Sequence, residues 1–150
     1  MLRGQILPMD IRTETGVEAQ QISAQVEREL LSALGDANQQ AVNSSIVLSA
    51  RDDSGKLIGG ITASTSYGWL LIKTLWVRDE HRGAGIGRLL VEKMQDCGKD
   101  ADCHAAWLDT SNLDAKYFYA RLGYEVFGTL ENIEGQFPAG HKRWFMKKNL

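Results

Sequence analysis

Trp69-Leu-Leu-Ile-Lys-Thr-Leu-Trp-Val77, followed directly by Arg78-Asp-Glu-His-Arg82-Gly-Ala-Gly85-Ile-Gly87-Arg88, constrains the fold more than any other stretch of this chain. The first nine residues are mostly apolar, with several β-branched or aromatic side chains, and predict a strand lying centrally in a sheet. Arg78 to Gly85 is polar and rich in glycine, which predicts a loop. From Ile86 to about Cys97 the positions Ile86, Leu89, Leu90, Met94 and Cys97 keep helical spacing, and Gly98 is expected to stop the helix. A further strand is expected over Cys103 to Asp109. Strand, helix and strand in this order form the pattern of a right-handed parallel crossover.

The remainder fits around that unit. Ile22, Val26, Leu30 and Leu34 recur every four residues and predict a helix over about 14–34, ended by Gly35. Asp36 to Ser45 is polar and expected as a loop. Ile46–Arg51 and Lys56–Ala63 flank the turn signal Asp52-Asp-Ser-Gly55 and predict a hairpin. Tyr67-Gly68 then turns the chain into the central strand. Thr110-Ser-Asn112 supplies capping side chains for a short helix over Asp114–Leu122, stopped by Gly123. Tyr124–Leu130 and Arg143–Lys148 are expected as closing strands. The expected fold is mixed α/β and a single domain, which suits 150 residues.

Charge and cysteine usage exclude several functions. Seventeen basic against 19 acidic side chains leave a formal charge of -2, which argues against nucleic-acid binding by phosphate neutralisation. No apolar run approaches the roughly 18 residues of a membrane helix. The first ten residues are too short and too interrupted for a signal peptide, so Cys97 and Cys103 are expected as reduced thiols of a cytoplasmic protein. Their spacing is not a metal-ligand spacing, and with three histidines in the chain no metal is expected.

The glycine loop carries the chemistry. A helix start leaves backbone N–H groups unpaired and partially positive, and small residues let an anion approach them. Arg82, Gly83, Ala84, Gly85, Ile86, Gly87 and Arg88 are therefore expected to hold a phosphate or diphosphate. A nucleoside-triphosphate loop would end in Gly-Lys-Ser/Thr, whereas this one ends in Gly87-Arg88-Leu89. A dinucleotide fingerprint counted from Gly83 and Gly85 would need a glycine at Arg88.

Arg82, Gly85 and Gly87 instead spell Arg-x-x-Gly-x-Gly, preceded by Leu75-Trp76-Val77. Further on come Asn112, Ala115, Phe118-Tyr119 and Leu122-Gly123-Tyr124. In these motifs, across roughly residues 46 to 130, the sequence resembles the GNAT family of N-acetyltransferases. The resemblance implies a mixed central sheet with splayed parallel strands and flanking helices. It implies acetyl-CoA as acyl donor, with its diphosphate on the loop amides and its pantetheine arm pairing with the strand that ends at Val77. The backbone N–H near Val77 would then face the thioester carbonyl and stabilise an oxyanion.

The same resemblance gives Tyr119 the role of general acid toward the departing thiolate, and has Asn112 hydrogen-bonding the donor's arm. Asn112 read alone is equally a helix N-cap. Proton removal from the attacking amine, of pKa about 10.4, needs a base, and Asp109 at the end of a strand is the best-placed carboxylate. Trp76 is a candidate wall for the acceptor. His81, Asp79 and Glu80 are expected to be solvated, and His141 and Glu134 lie in a late loop without an assignable role. Lys116 and Arg121 are expected as solvated helix charges, with a remaining phosphate of the donor as the alternative. The acceptor is expected to be the amine of a small molecule or peptide. A non-catalytic acyl-CoA-binding or sensing module is the competing reading, and a nucleotide-binding oxidoreductase a weaker third. Members of the family are often dimers, and the closing strands are free to pair across such an interface.

Overall fold

The structure is a computed structural model and describes residues 8–35 and 44–150. These fall into two compact units, one within Met1–Gln39 and one within Gln40–Leu150. The first contains helix α1, Gly16–Leu34, entered through extended Thr15 and ended at Gly35, whose φ is +50°. The expected stripe of Ile22, Val26, Leu30 and Leu34 stands at exposed positions. The expected loop over Asp36–Ser45 lies outside the described residues, apart from Ser44 and Ser45, which already belong to the first strand.

The second unit is a six-stranded sheet with two helices. Its strands are β1 (Ser44–Arg51), β2 (Leu57–Ser66), β3 (Trp69–Val77), β4 (Ala105–Thr110), β5 (Glu125–Glu131) and β6 (Lys142–Asn149). Helix α2 (Ile86–Asp100) joins β3 to β4, and α3 (Leu113–Arg121) joins β4 to β5. The sheet order is β1-β2-β3-β4-β6-β5, and β3 with β4 is its parallel pair. No helix among the described residues is long and apolar enough to cross a membrane.

Alternation in β2 sends Ile61, Ala63 and Thr65 to the buried side. There Ile61 and Ala63 join Leu70 and Ile72 of β3, Ala106 and Leu108 of β4, and Met146 of β6. Leu90, Val91 and Met94 of α2 pack onto this layer, with Tyr119 and Tyr124 beside them. Each fully buried aliphatic side chain contributes roughly 1.5–3 kcal/mol.

Two features depart from expectation and shape the cleft. Gly98 does not end α2: the helix runs to Asp100, Ala101 N–H donates back to Cys97 and Gly98 carbonyls at 3.1 Å each, and Asp102 turns the chain at φ +63°. Gly98 is there for close approach, since a Cβ on it would stand 3.0 Å from Leu70 Cδ2. The following strand consequently begins at Ala105 rather than Cys103.

The parallel seam is also short. Trp69, Leu70 and Leu71 pair with Ala105, Ala106 and Trp107, and there the pairing of β3 with β4 ends. Past that point β3 stays with β2 as far as Val77 opposite Gly59, and β4 stays with β6 as far as Thr110 opposite Trp144. The two strands therefore diverge as the resemblance implies. A register shift accompanies the divergence: Ala63 opposes Ile72 and Thr62 opposes Thr74, leaving Lys73 as a bulged residue.

Candidate functional site

The diverging strands open into a cleft of about 740 Å3. Its walls are β3 from Ile72 to Val77, the glycine loop with the first turn of α2, β4 from Leu108 to Thr110, and one side of α3. Among the residues singled out from the sequence, Val77, Arg82, Gly83, Gly85, Ile86, Gly87, Arg88, Asp109, Asn112 and Tyr119 all line it. Ala84 shares the loop but is not part of the lining. Lys73, Arg82, Arg88 and Arg121 face two carboxylates, Asp109 and Asp114, so the lining suits a polyanion.

The loop explains itself residue by residue. A short 3₁₀ turn, Asp79–His81, leads to Gly83 and Gly85 at φ +80° and +84°, conformations that L side chains avoid. A Cβ on either glycine would meet nothing within 4 Å, so both present bare backbone to open space. The first helical bond of α2 runs from Leu89 N–H to Gly85 O at 3.0 Å. The N–H groups of Ile86, Gly87 and Arg88 precede that bond, no side chain caps them, and no acidic residue lies in the first turn. An external anion is the natural acceptor for these donors. Gly87 lies between Val77 and Phe118, within ordinary contact distance of both for an added Cβ.

Arg82 does more structural work than the sequence indicates. Its Nε donates to Val77 O at 3.1 Å and its Nη2 pairs with Asp79 at 3.0 Å, bracing the end of β3 against the loop. Asp79, expected as solvated, is thus one side of an exposed ion pair. His81 is half-buried and lines the cleft.

On the opposite wall Asn112 takes the capping position, its Oδ1 accepting from Ala115 N–H at 2.9 Å. That bond leaves both Nδ2 hydrogens unused. Tyr119 lies on the cleft-side face of α3 and is 6% exposed. Its ring meets Phe118 and Tyr124 edge-on, with centroids 5.0 and 5.5 Å away. Burial, with a smaller contribution from Tyr124, pushes its phenol well above the ordinary range, so the hydroxyl keeps its proton. Tyr124 is pushed up by burial too, and its oxygen accepts from Gln95 Nε2 at 2.9 Å.

Asp109 reaches the cleft with one oxygen already engaged: Oδ1 accepts from Arg143 Nε at 2.7 Å and from Nη2 at 2.6 Å. That partner lies 34 residues away, and nothing local in the sequence announces it. Trp76 lines the cleft, 43% exposed, with the Arg78 guanidinium 5.6 Å from its ring centre. Trp69, Trp107 and Trp144 do not line it; Trp69 stacks edge-on with His104, and Trp144 lies under the Lys116 ammonium at 4.8 Å. His141 approaches Ser111 Oγ at 3.4 Å and, like Glu134, stands outside the lining. Among the described residues no three His, Cys, Asp or Glu side chains gather as metal ligands do.

An anion-ready helix start, a bulged strand with an unpaired edge and a buried phenol thus share one cleft. The chain is 31% identical over 120 residues to an acetyltransferase from Agrobacterium fabrum, covering 80% of this chain and 82% of that one. It is 27% identical over 99 residues to the blasticidin-S acetyltransferase of Streptomyces morookaense, 65% of this chain and 70% of that one. The crystal structure of an acetyltransferase from Bacillus cereus superposes with a TM-score of 0.77 at 27% identity, covering 95% of this chain and 98% of that one. The sequence model described as "Acetyltransferase (GNAT) family" matches residues 11–124. Loop, seam and tyrosine helix all fall inside that match, and the chain belongs to the GNAT family of acetyltransferases.

Proposed function

We propose that this acetyltransferase moves an acetyl group from acetyl-CoA to a primary amine by direct attack in a ternary complex, acting as a single catalytic domain. One observation carries the reading. The cleft runs continuously from the uncapped N-terminus of α2, past Tyr119, to the gap between β3 and β4.

In this reading the N–H groups of Ile86, Gly87 and Arg88, with Gly83 and Gly85, hold the donor's diphosphate. Arg82 acts by bracing the loop, and Ala84 contributes through the backbone alone. The edge of β3 that faces β4, unpaired past Leu71 except at Val77 O, takes the amide-bearing arm as an added strand, and Asn112 Nδ2 meets it from α3. The amine nitrogen attacks the thioester carbonyl carbon, a C–N bond forms and the C–S bond breaks. Tyr119 donates a proton to the leaving sulfur. Its raised pKa keeps it fully protonated, and it makes the donation uphill unless this accompanies C–S cleavage. The amine's surplus proton passes to Asp109, whose Oδ2 is not used by Arg143, directly or through water. Holding two substrates in line supplies much of the rate.

The acceptor is an amine of a small molecule or peptide, entering beside Trp76. Thermal shift with acetyl-CoA, CoA, NAD and ATP, followed by an amine panel read by thiol release, tests the proposal. Stabilisation by acetyl-CoA and CoA together with amine-dependent thiol release is expected. Stabilisation by NAD but not CoA would overturn it. Binding of acetyl-CoA with no thiol release across the panel would favour a sensing module.

A further inference from the structure

The pairing of β3 with β4 ends at Leu71 and Trp107. Carried two residues further, the same register sets Lys73 of β3 level with Asp109 of β4, on the two sides of the opening gap. Both residues line the cleft. The bulge of β3 falls on Lys73, whereas Thr74 after it is absent from the lining and shares a hydrogen bond with the Thr62 hydroxyl of β2. At about 3.3 Å per residue, Lys73 stands roughly 13 Å back along β3 from Val77, where the glycine loop begins. Arg82 and Arg88 belong to that loop and the first turn of α2, and Arg121 borders a smaller pocket together with Arg88. Among the described residues of the lining, Lys73 is thus the lysine or arginine set apart from the anion-ready helix start.

The charges at that level are unevenly committed. Asp109 is held by Arg143 through Nε and Nη2, so this pair is balanced. Arg78, beside Trp76, donates from Nε and Nη2 to Leu57 O. Lys73 makes no hydrogen bond or ion pair among the described residues. One positive charge is therefore left over beside the gap. The parts of the donor that would reach this point, the amide-bearing arm and the thioester, carry no charge and give Lys73 nothing to pair with. An acceptor bearing an anion supplies the missing partner. An ammonium is a compact point charge with three donors, suited to a single carboxylate.

We propose that the acceptor is a small amine that bears a carboxylate, an amino acid or a close relative of one, with Lys73 holding the carboxylate while the amine nitrogen faces Asp109. A cation on one side of the gap and a carboxylate on the other complement the two ends of such a zwitterion. A polyamine would set its second ammonium against Lys73, and an amine without an anion would leave Lys73 unanswered. The inference rests on the acetyl-transfer reading above and deepens it, by giving the acceptor a chemical class and the cleft a residue that selects for it.

Initial rates of thiol release by the full chain test this with matched amines: the amino acids, their α-carboxamides, and the amines that lack the carboxyl carbon, such as phenylalanine, phenylalaninamide and phenethylamine. Spermidine and a short peptide with a free N-terminus complete the set. The wild type should favour its best amino acid over the matched amide by roughly tenfold or more in kcat/KM, the scale of one charge-assisted hydrogen bond. Lys73→Gln should erase most of that preference through a higher KM for the amino acid, and Lys73→Glu should invert it, with the KM for acetyl-CoA unmoved in both. The ratio in the variants separates the charge of the lysine from the lower basicity of an amide's amine. Lys73 is exposed, so both variants should melt as the wild type does. Equal wild-type use of acids and amides, turnover confined to spermidine or the peptide, or a preference that survives both substitutions would overturn the inference and leave acetyl transfer standing. A raised KM for acetyl-CoA with the acid-to-amide ratio unmoved would assign Lys73 to the donor and overturn it too. No thiol release with any amine would remove the acetyl-transfer reading and this inference together.

Discussion

Gly85 offers a clean separation between backbone strain and occlusion of the anion site. It sits at φ +84°, and Gly55 in the β1–β2 turn sits at φ +83°. An added Cβ meets nothing within 4 Å at either position. The two alanine variants should therefore lose the same stability, about 1–2 kcal/mol for a left-handed L residue. At roughly 2.1 cal/mol/K per residue over 150 residues, this lowers Tm by about 3–6 °C. Gly55 lies outside the cleft lining and Gly85 within it, so only the second change intrudes on the donor. Gly85→Glu goes further by placing a carboxylate where the proposed diphosphate would lie. A ligand at a hundred times its Kd adds about 2.7 kcal/mol, so melts with and without acetyl-CoA resolve the difference. The ligand-induced rise should persist in Gly55→Ala, weaken in Gly85→Ala and vanish in Gly85→Glu. A full rise in Gly85→Glu would refute the assignment of the loop, and loss of the rise in Gly55→Ala would refute the comparison.

Tyr119→Phe should lower turnover roughly a hundredfold or more, the range for a lost general acid, with acetyl-CoA binding near normal by calorimetry; unchanged kinetics would remove Tyr119 from the mechanism. Gly98→Val should destabilise by about 1–3 kcal/mol in urea titrations, because even a bare Cβ stands 3.0 Å from Leu70 Cδ2, and a neutral result would show that the helix shifts freely on β3. The phenols of Tyr119 and Tyr124 are both raised by burial, so the folded state keeps protons that the unfolded chain releases above about pH 10. Stability should hold up to that pH and fall beyond it, with a shallower fall in Tyr124→Phe; identical slopes would contradict the shifts. The same variant strands buried Gln95 Nε2, at a cost of about 1–3 kcal/mol measured near neutrality.

What the sequence announces is local. The loop glycines, the caps and the period of α2 are written within a few residues of where they act, and they point to the uncapped, glycine-led helix start that the structure contains. Gly98 shows the limit. A glycine after an apolar helix face suggests a stop, but its reason here is the contact with Leu70, 28 positions earlier in chain numbering. Asp109 shows another: its cleft position is legible from the end of a strand, while the Arg143 pairing comes from the β4–β6 register. Arg82 is legible as part of the loop, but its side chain folds back onto Val77 O, and no local pattern distinguishes that from one reaching outward.

The three-pair junction of β3 with β4 has a mechanical consequence. Two halves of the sheet, β1–β3 and β4–β6, are stitched by a seam ending at Leu71 and Trp107. Past it the facing amides belong to no ladder, and a donor's arm lying there would act as the missing stitch. Deuterium uptake at residues 74–77 and 108–110 should then slow sharply in the presence of acetyl-CoA, while residues 69–71, already sewn into the ladder, exchange at an unchanged rate.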